Sequence, residues 1–216
     1  QMGEWMVSYR YMSMEMEGLL AGSNNISAND ANSTFGFPLA MLPKDMKMDM
    51  HMFGTMYAIS NKWTLMAMVN YLDNEMSMQS AMMGTMESKG ISDIKLAGLY
   101  DLAQWDDGRR VHLKLGLNLP TGSIDEKHNG NILGYGMQLG SGTYDFEPAI
   151  TYLAQTENYS YGAQLGGILR IGENDQDYTL GNKFEATLWG ARKITDSLSA
   201  SAKFDYSSQS EIDGSD

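Results

Sequence analysis

Side chains alternate with a period of two along almost the whole chain, and this restricts the fold more than any other feature. Nine segments read as strands: 4–17, 44–59, 63–78, 91–103, 110–119, 144–154, 159–171, 180–193 and 198–207. A two-residue period puts unlike chemistry on the two faces of an extended strand. One face is apolar: Trp5, Val7, Tyr9 and Tyr11 in the first strand, Trp63, Leu65, Ala67, Val69 and Tyr71 in the third, Val111 to Leu119 at odd positions in the fifth. The other face is mixed and carries Arg10, Asp93, Lys95, Arg110, Lys114, Glu147, Arg170, Glu185, Lys203 and Asp205. Connections alternate too. Residues 60–62, 104–109, 155–158 and 195–197 are short links, whereas 18–43, 79–90, 120–143 and 172–179 are long.

Short turns at one end and long loops at the other are how outer-membrane barrels are built. A soluble barrel alternates as well, with its apolar side inward, so aromatic placement decides between the two. Trp5, Trp63 and Trp105 fall at the short-turn end, and Tyr11, Tyr71, Tyr144 and Tyr206 fall towards the long-loop end. Two aromatic girdles around an aliphatic band mark the lipid interfaces. Trp189 fits neither girdle, and its parity points it inward. No run of 18 apolar residues offers a transmembrane helix. The expectation is an all-β, antiparallel up-and-down transmembrane β-barrel in the bacterial outer membrane, with residues 1–216 as a single domain. Nine strands leave an open edge, and unpaired backbone is costly in lipid. A tenth, closing strand is therefore expected beyond Asp216.

The net charge of −12 argues against nucleic acid, whose phosphates call for clustered Lys and Arg. The expected surroundings are outer-membrane lipid and lipopolysaccharide, with a periplasmic or membrane protein as a further partner. The absence of Cys excludes disulfides and thiol chemistry.

Several segments carry a family resemblance: GEWMVSYRYMSMEMEG (3–18), MDMHMFGTMYAISNKWTLMAMV (48–69), GISDIKLAGLYDL (90–102), LNLPTGSIDEK (117–127), MQLGSGTYDFEPAITYL (137–153) and the 180–206 stretch. They resemble a Met-rich group of outer-membrane "transporter" proteins in the family named for the MetA pathway of phenol degradation. The resemblance implies an outer-membrane barrel with a transport role, and it supplies no catalytic residues. Relatives continue into another strand where this chain reads IDGSD, in keeping with the expected closing strand.

Methionine carries the chemistry. Eighteen of the 19 lie at or before Met86, and only Met137 lies later. Within the first three strands thirteen occupy even positions: Met6, Met12, Met14, Met16, Met46, Met48, Met50, Met52, Met56, Met66, Met68, Met76 and Met78. Parity turns them away from lipid, into the lumen. Strand two is mixed, because Lys47, Asp49 and His51 share the face of Phe53 and Tyr57; those three are assigned to a portion above the membrane. Three readings of the methionine face stand. Met is an adaptable filler of irregular interiors, which would give a plugged structural or partner-binding barrel without transport. Thioether sulfur is a soft ligand suited to Cu(I), for which Met12, Met14, Met48, Met50, Met66 and Met68 are the candidate ligands. Met also forms an apolar slide for small aromatic compounds. His51 would add a nitrogen ligand only if its ring reached the Met face, and parity argues against that. Met6, Met12, Met14, Met16, Met48, Met50, Met52, Met56, Met66 and Met68, together with Arg10, Lys95, Arg110 and Lys114, define the candidate lumen site. The inward charges read as a salt-bridge network.

The loop acids Asp125, Glu126, Asp145, Glu173, Asp175, Asp177, Glu211 and Asp213 match no calcium-loop spacing and read as solvated charge. The three histidines fall into no recognisable catalytic arrangement, and the chain is read as a channel or transporter rather than an enzyme.

Overall fold

The fold is described from a computed structural model covering residues 2–21, 24–36, 38–80 and 84–214. Ten antiparallel strands form one sheet: β1 Trp5–Glu17, β2 Pro43–Ala58, β3 Trp63–Met78, β4 Thr85–Ile91, β5 Ile94–Gln104, β6 Arg109–Leu119, β7 Tyr144–Gln155, β8 Tyr159–Ile171, β9 Lys183–Thr195 and β10 Leu198–Gln209. Each strand pairs with the next in sequence, except that β3 carries β4 along its outer half and β5 along its inner half. The sheet is a half-barrel whose two edges are β1 and β10. The tenth strand expected beyond Asp216 falls outside the described residues.

Nine of these strands stand within a few residues of the periodicity reading. The exception is β4, expected to be loop. Its outward side chains are Glu87 and Lys89, and its inward ones Met86 and Ser88. Because it rises above the aliphatic band, neither face carries the apolar signature of a lipid strand. Within the 18–43 connection lies an unexpected helix, α1 (Ala28–Phe35), held by a Ser27–Asp30 capping box and ended by Gly36 in the left-handed conformation. The capping box holds the Asp30 carboxyl below its ordinary range, chiefly through the Ser27 hydroxyl.

The short turns are tied by hydroxyls. Ser60 Oγ accepts from the amides of Lys62 and Trp63 at 3.2 and 3.0 Å, and Thr156 Oγ1 accepts from Tyr159 N at 3.1 Å.

Exposure fixes which face meets lipid. Val7 is 81% exposed, Phe204 64% and Leu188 56%, all on the odd face of β1 or on the face continuous with it in β9 and β10. A water-soluble protein does not leave so large a connected apolar surface uncovered. The girdles are built as expected: Trp5 packs against Tyr57 and Trp63 against Tyr100 with tilted rings, at 4.7 and 4.9 Å between ring centroids. At the other end Tyr11, His51 and Tyr71 share one row of the outer face. His51 Nδ1 lies 2.8 Å from the Tyr9 hydroxyl, so its ring belongs to the outer aromatic surface and not to the methionines.

Candidate functional site

The opposite, inner face is where the long 120–143 connection packs. Leu133 and Met137 of that segment form a core with Met86, against which Met46, Met76 and Met78 pack. Leu139 is buried against Gly90 of β4. The methionines of even parity and the packed segment therefore share one side of the sheet.

Strand register sorts those methionines into rows. Met6, Met56 and Met66 are direct neighbours across β1, β2 and β3. The next rows read Ser8–Gly54–Met68–Lys95, Arg10–Met52–Asn70, Met12–Met50–Leu72 and Met14–Met48–Asn74–Ser88. The outermost row is Met16–Met46–Met76–Met86. Side chains in a row are neighbours, whereas successive rows are two residues, about 7 Å, apart along the strands. The six candidate Cu(I) ligands consequently do not converge. Met12 faces Met50 and Met14 faces Met48, but Met68 and Met66 lie two and three rows below the Met12–Met50 row.

Beyond β4 the same face becomes charged. Glu147 Oε1 accepts from Lys95 Nζ at 2.6 Å and its Oε2 from Lys114 Nζ at 3.3 Å. Lys183 pairs with Glu185 at 2.7 Å and Lys203 with Asp205 at 3.0 Å. These residues line a cavity of ≈ 450 Å³ on the inner side of β5 to β10. Arg10 and Arg110 also lie on this face, and neither enters an ion pair among the described residues. A groove of ≈ 700 Å³ lined by Trp5, Leu65, Leu96, Leu115, Leu117 and Phe146 belongs to the outer, lipid-facing side.

A buried polar knot joins the charged wall to the packed segment. Asp93, at the break between β4 and β5, accepts from the amides of Gly122 and Ser141 at 2.9 and 2.8 Å. Asp145 accepts from Thr143 Oγ1 at 2.7 Å and pairs with Arg170. Asn118 Nδ2 and Ser141 Oγ each reach both carboxylates. Asp145 is fully buried, which corrects its reading as a solvated loop acid. Its position just after the 120–143 connection hid this, because its partners come from segments 25 or more residues away as well as from that connection. Gly140 fits because a Cβ there would stand 2.5 Å from Asp93 Oδ1 and 2.6 Å from Gly122 O.

Asn70 and Asn74 were not among the expected site residues. Both are buried in the methionine rows, and neither carboxamide oxygen has a partner among the described residues. Their parity with Met66 and Met68 was the available signal. Trp189 lies inward as its parity indicated, against Gly162 of β8.

The fold is that of an outer-membrane channel. It matches the crystal structure of an outer-membrane channel from Pseudomonas putida F1 with a TM-score of 0.73 at 13% sequence identity, over 99% of this chain and 75% of that one. No curated protein matches the sequence. The family model described as "Putative MetA-pathway of phenol degradation" matches residues 44–216, a span holding all of the sheet but β1 and the first residue of β2, and the chain belongs to that family.

Proposed function

We propose that the chain forms the wall of a channel in the bacterial outer membrane, and that its methionine face carries small, largely apolar solutes bearing a hydroxyl, of which phenolic compounds are the simplest class. The observation that carries this reading is the pair of buried amide oxygens of Asn70 and Asn74 among the thioether rows, both without a partner among the described residues. A buried acceptor left unmade costs about 1–3 kcal/mol, and a solute hydroxyl would recover part of that. Thioethers suit the aromatic remainder, since sulfur–ring contacts contribute roughly 0.3–1.5 kcal/mol each. The family description, which names phenol degradation, agrees with this solute class.

The test is ligand-observed NMR of phenol and of benzene against the refolded full-length protein in detergent. Phenol should bind, and Asn70→Leu/Asn74→Leu should weaken phenol about tenfold while leaving benzene within twofold, the equivalent of one lost hydrogen bond. No phenol binding, or equal losses for both compounds, would remove the proposal.

A further inference from the structure

The outermost methionine row has a property that neither packing nor solute passage requires. Met16, Met46, Met76 and Met86 are consecutive neighbours across four adjacent strands. Met137, 1% exposed, then packs from the 120–143 connection with Met86, and Met46, Met76 and Met78 pack against the same cluster. Met137 is the only methionine after Met86 in the sequence. The single thioether in that long stretch is thus delivered to the place where thioethers already meet. Leu fills a comparable volume and loses less rotamer freedom on burial, so a core selected for packing alone favours Leu. Of the six side chains in this cluster, only Leu133 is not a methionine.

We propose that Met46, Met76, Met86 and Met137 form a binding site for a soft monovalent cation, Cu(I) or Ag(I), with Met16 as its entry ligand. Neutral thioethers bind soft d¹⁰ ions without releasing a proton, and their flexible side chains reach three or four sulfur contacts without a rigid frame. Met16, 39% exposed on the edge strand, gives access to the row. The other face of the same strands carries Glu15, Glu17, Asp45, Glu75 and Glu87 against Lys44, Lys47 and Lys89, an excess of acid that favours cations nearby. The site stands on these residues whether or not the channel conducts phenols.

The experiment titrates Cu(I), buffered by the chromophoric chelator bathocuproine disulfonate, and separately Ag(I), into the refolded full-length protein. Wild type should withdraw one equivalent of Cu(I), with an X-ray absorption spectrum showing sulfur ligands only. Met86→Leu/Met137→Leu should weaken binding at least tenfold, and the exposed-methionine control Met2→Leu/Met41→Leu should leave it unchanged. Leu133→Met, which adds a sulfur to the cluster without removing volume, should tighten binding and serves if the double replacement fails to refold. Absence of withdrawal by wild type, nitrogen or oxygen ligands in the spectrum, undiminished binding by the refolded double variant, or unchanged affinity in Leu133→Met would each overturn the site.

Discussion

Asp93 and Asp145 share one carboxamide: Asn118 Nδ2 stands 2.9 Å from the first and 2.8 Å from the second. Both acids are buried, and among the described residues only Asp145 of the two has a cation, Arg170, as its partner. The amide group therefore does what a second cation would otherwise do, giving each carboxylate a donor at a point where the 120–143 connection is fastened to the wall. Asn118→Leu keeps the approximate volume and removes both donors. A destabilisation of about 2–5 kcal/mol is expected, since abandoned charged acceptors exceed the usual penalty for an unmade hydrogen bond. Urea unfolding of the protein in detergent, followed by tryptophan fluorescence, reads the change. A loss under 1 kcal/mol would mean that water replaces the amide.

Glu147 is held by two lysines on the charged wall. Glu147→Gln leaves Lys95 and Lys114 without their shared counter-charge and makes that side of the lumen more positive by one unit. In planar bilayers under a salt gradient, the reversal potential should move towards anion selectivity relative to wild type. An unchanged reversal potential in a conducting variant would place the ion path away from this wall.

Gly162 faces the ring of Trp189, and a Cβ there would also come 2.6 Å from the Tyr152 carbonyl oxygen. Gly162→Ala should destabilise the barrel by roughly 1–3 kcal/mol, the ordinary cost of overpacking. Gly190 on the neighbouring strand has nothing within 4 Å of a built Cβ and is the control. Equal unfolding midpoints for Gly162→Ala and Gly190→Ala would show that Trp189 moves aside freely.

Tyr178, in the connection after β8, is buried against Tyr135 at 4.5 Å between ring centroids. Burial raises its hydroxyl above the ordinary tyrosine range, partly opposed by its contact with Asn174. An acid whose folded value is raised stabilises the fold fully below the unfolded value, and the contribution is lost as pH climbs through the folded one. Docking of the 172–182 segment should accordingly loosen only above about pH 10. Ultraviolet titration of wild type against Tyr178→Phe isolates this group, and a midpoint at or below 10 would contradict its burial.

Much of the fold was legible because a barrel strand meets two different solvents. Lipid on one side and an enclosed interior on the other impose alternation that survives in the sequence of β1, β3, β6 and β8. Above the lipid both faces are polar or sulfur-bearing, so β4 carried little signal. Of the candidate site, the shared face of the methionines and of Lys95, Lys114 and Arg170 followed from parity.

Parity assigns a face but not a level. The sequence determined that thioethers and charges share one side of the sheet and that the Trp and Leu side meets lipid, because those follow from the two-residue period alone. Tertiary structure decided which of them are neighbours. Register set Met16, Met46, Met76 and Met86 in one row and spread Met12, Met50, Met66 and Met68 over three. Packing of the 120–143 connection brought Met137 to Met86 and buried Asp145, because contacts between segments dozens of residues apart leave no local period to read.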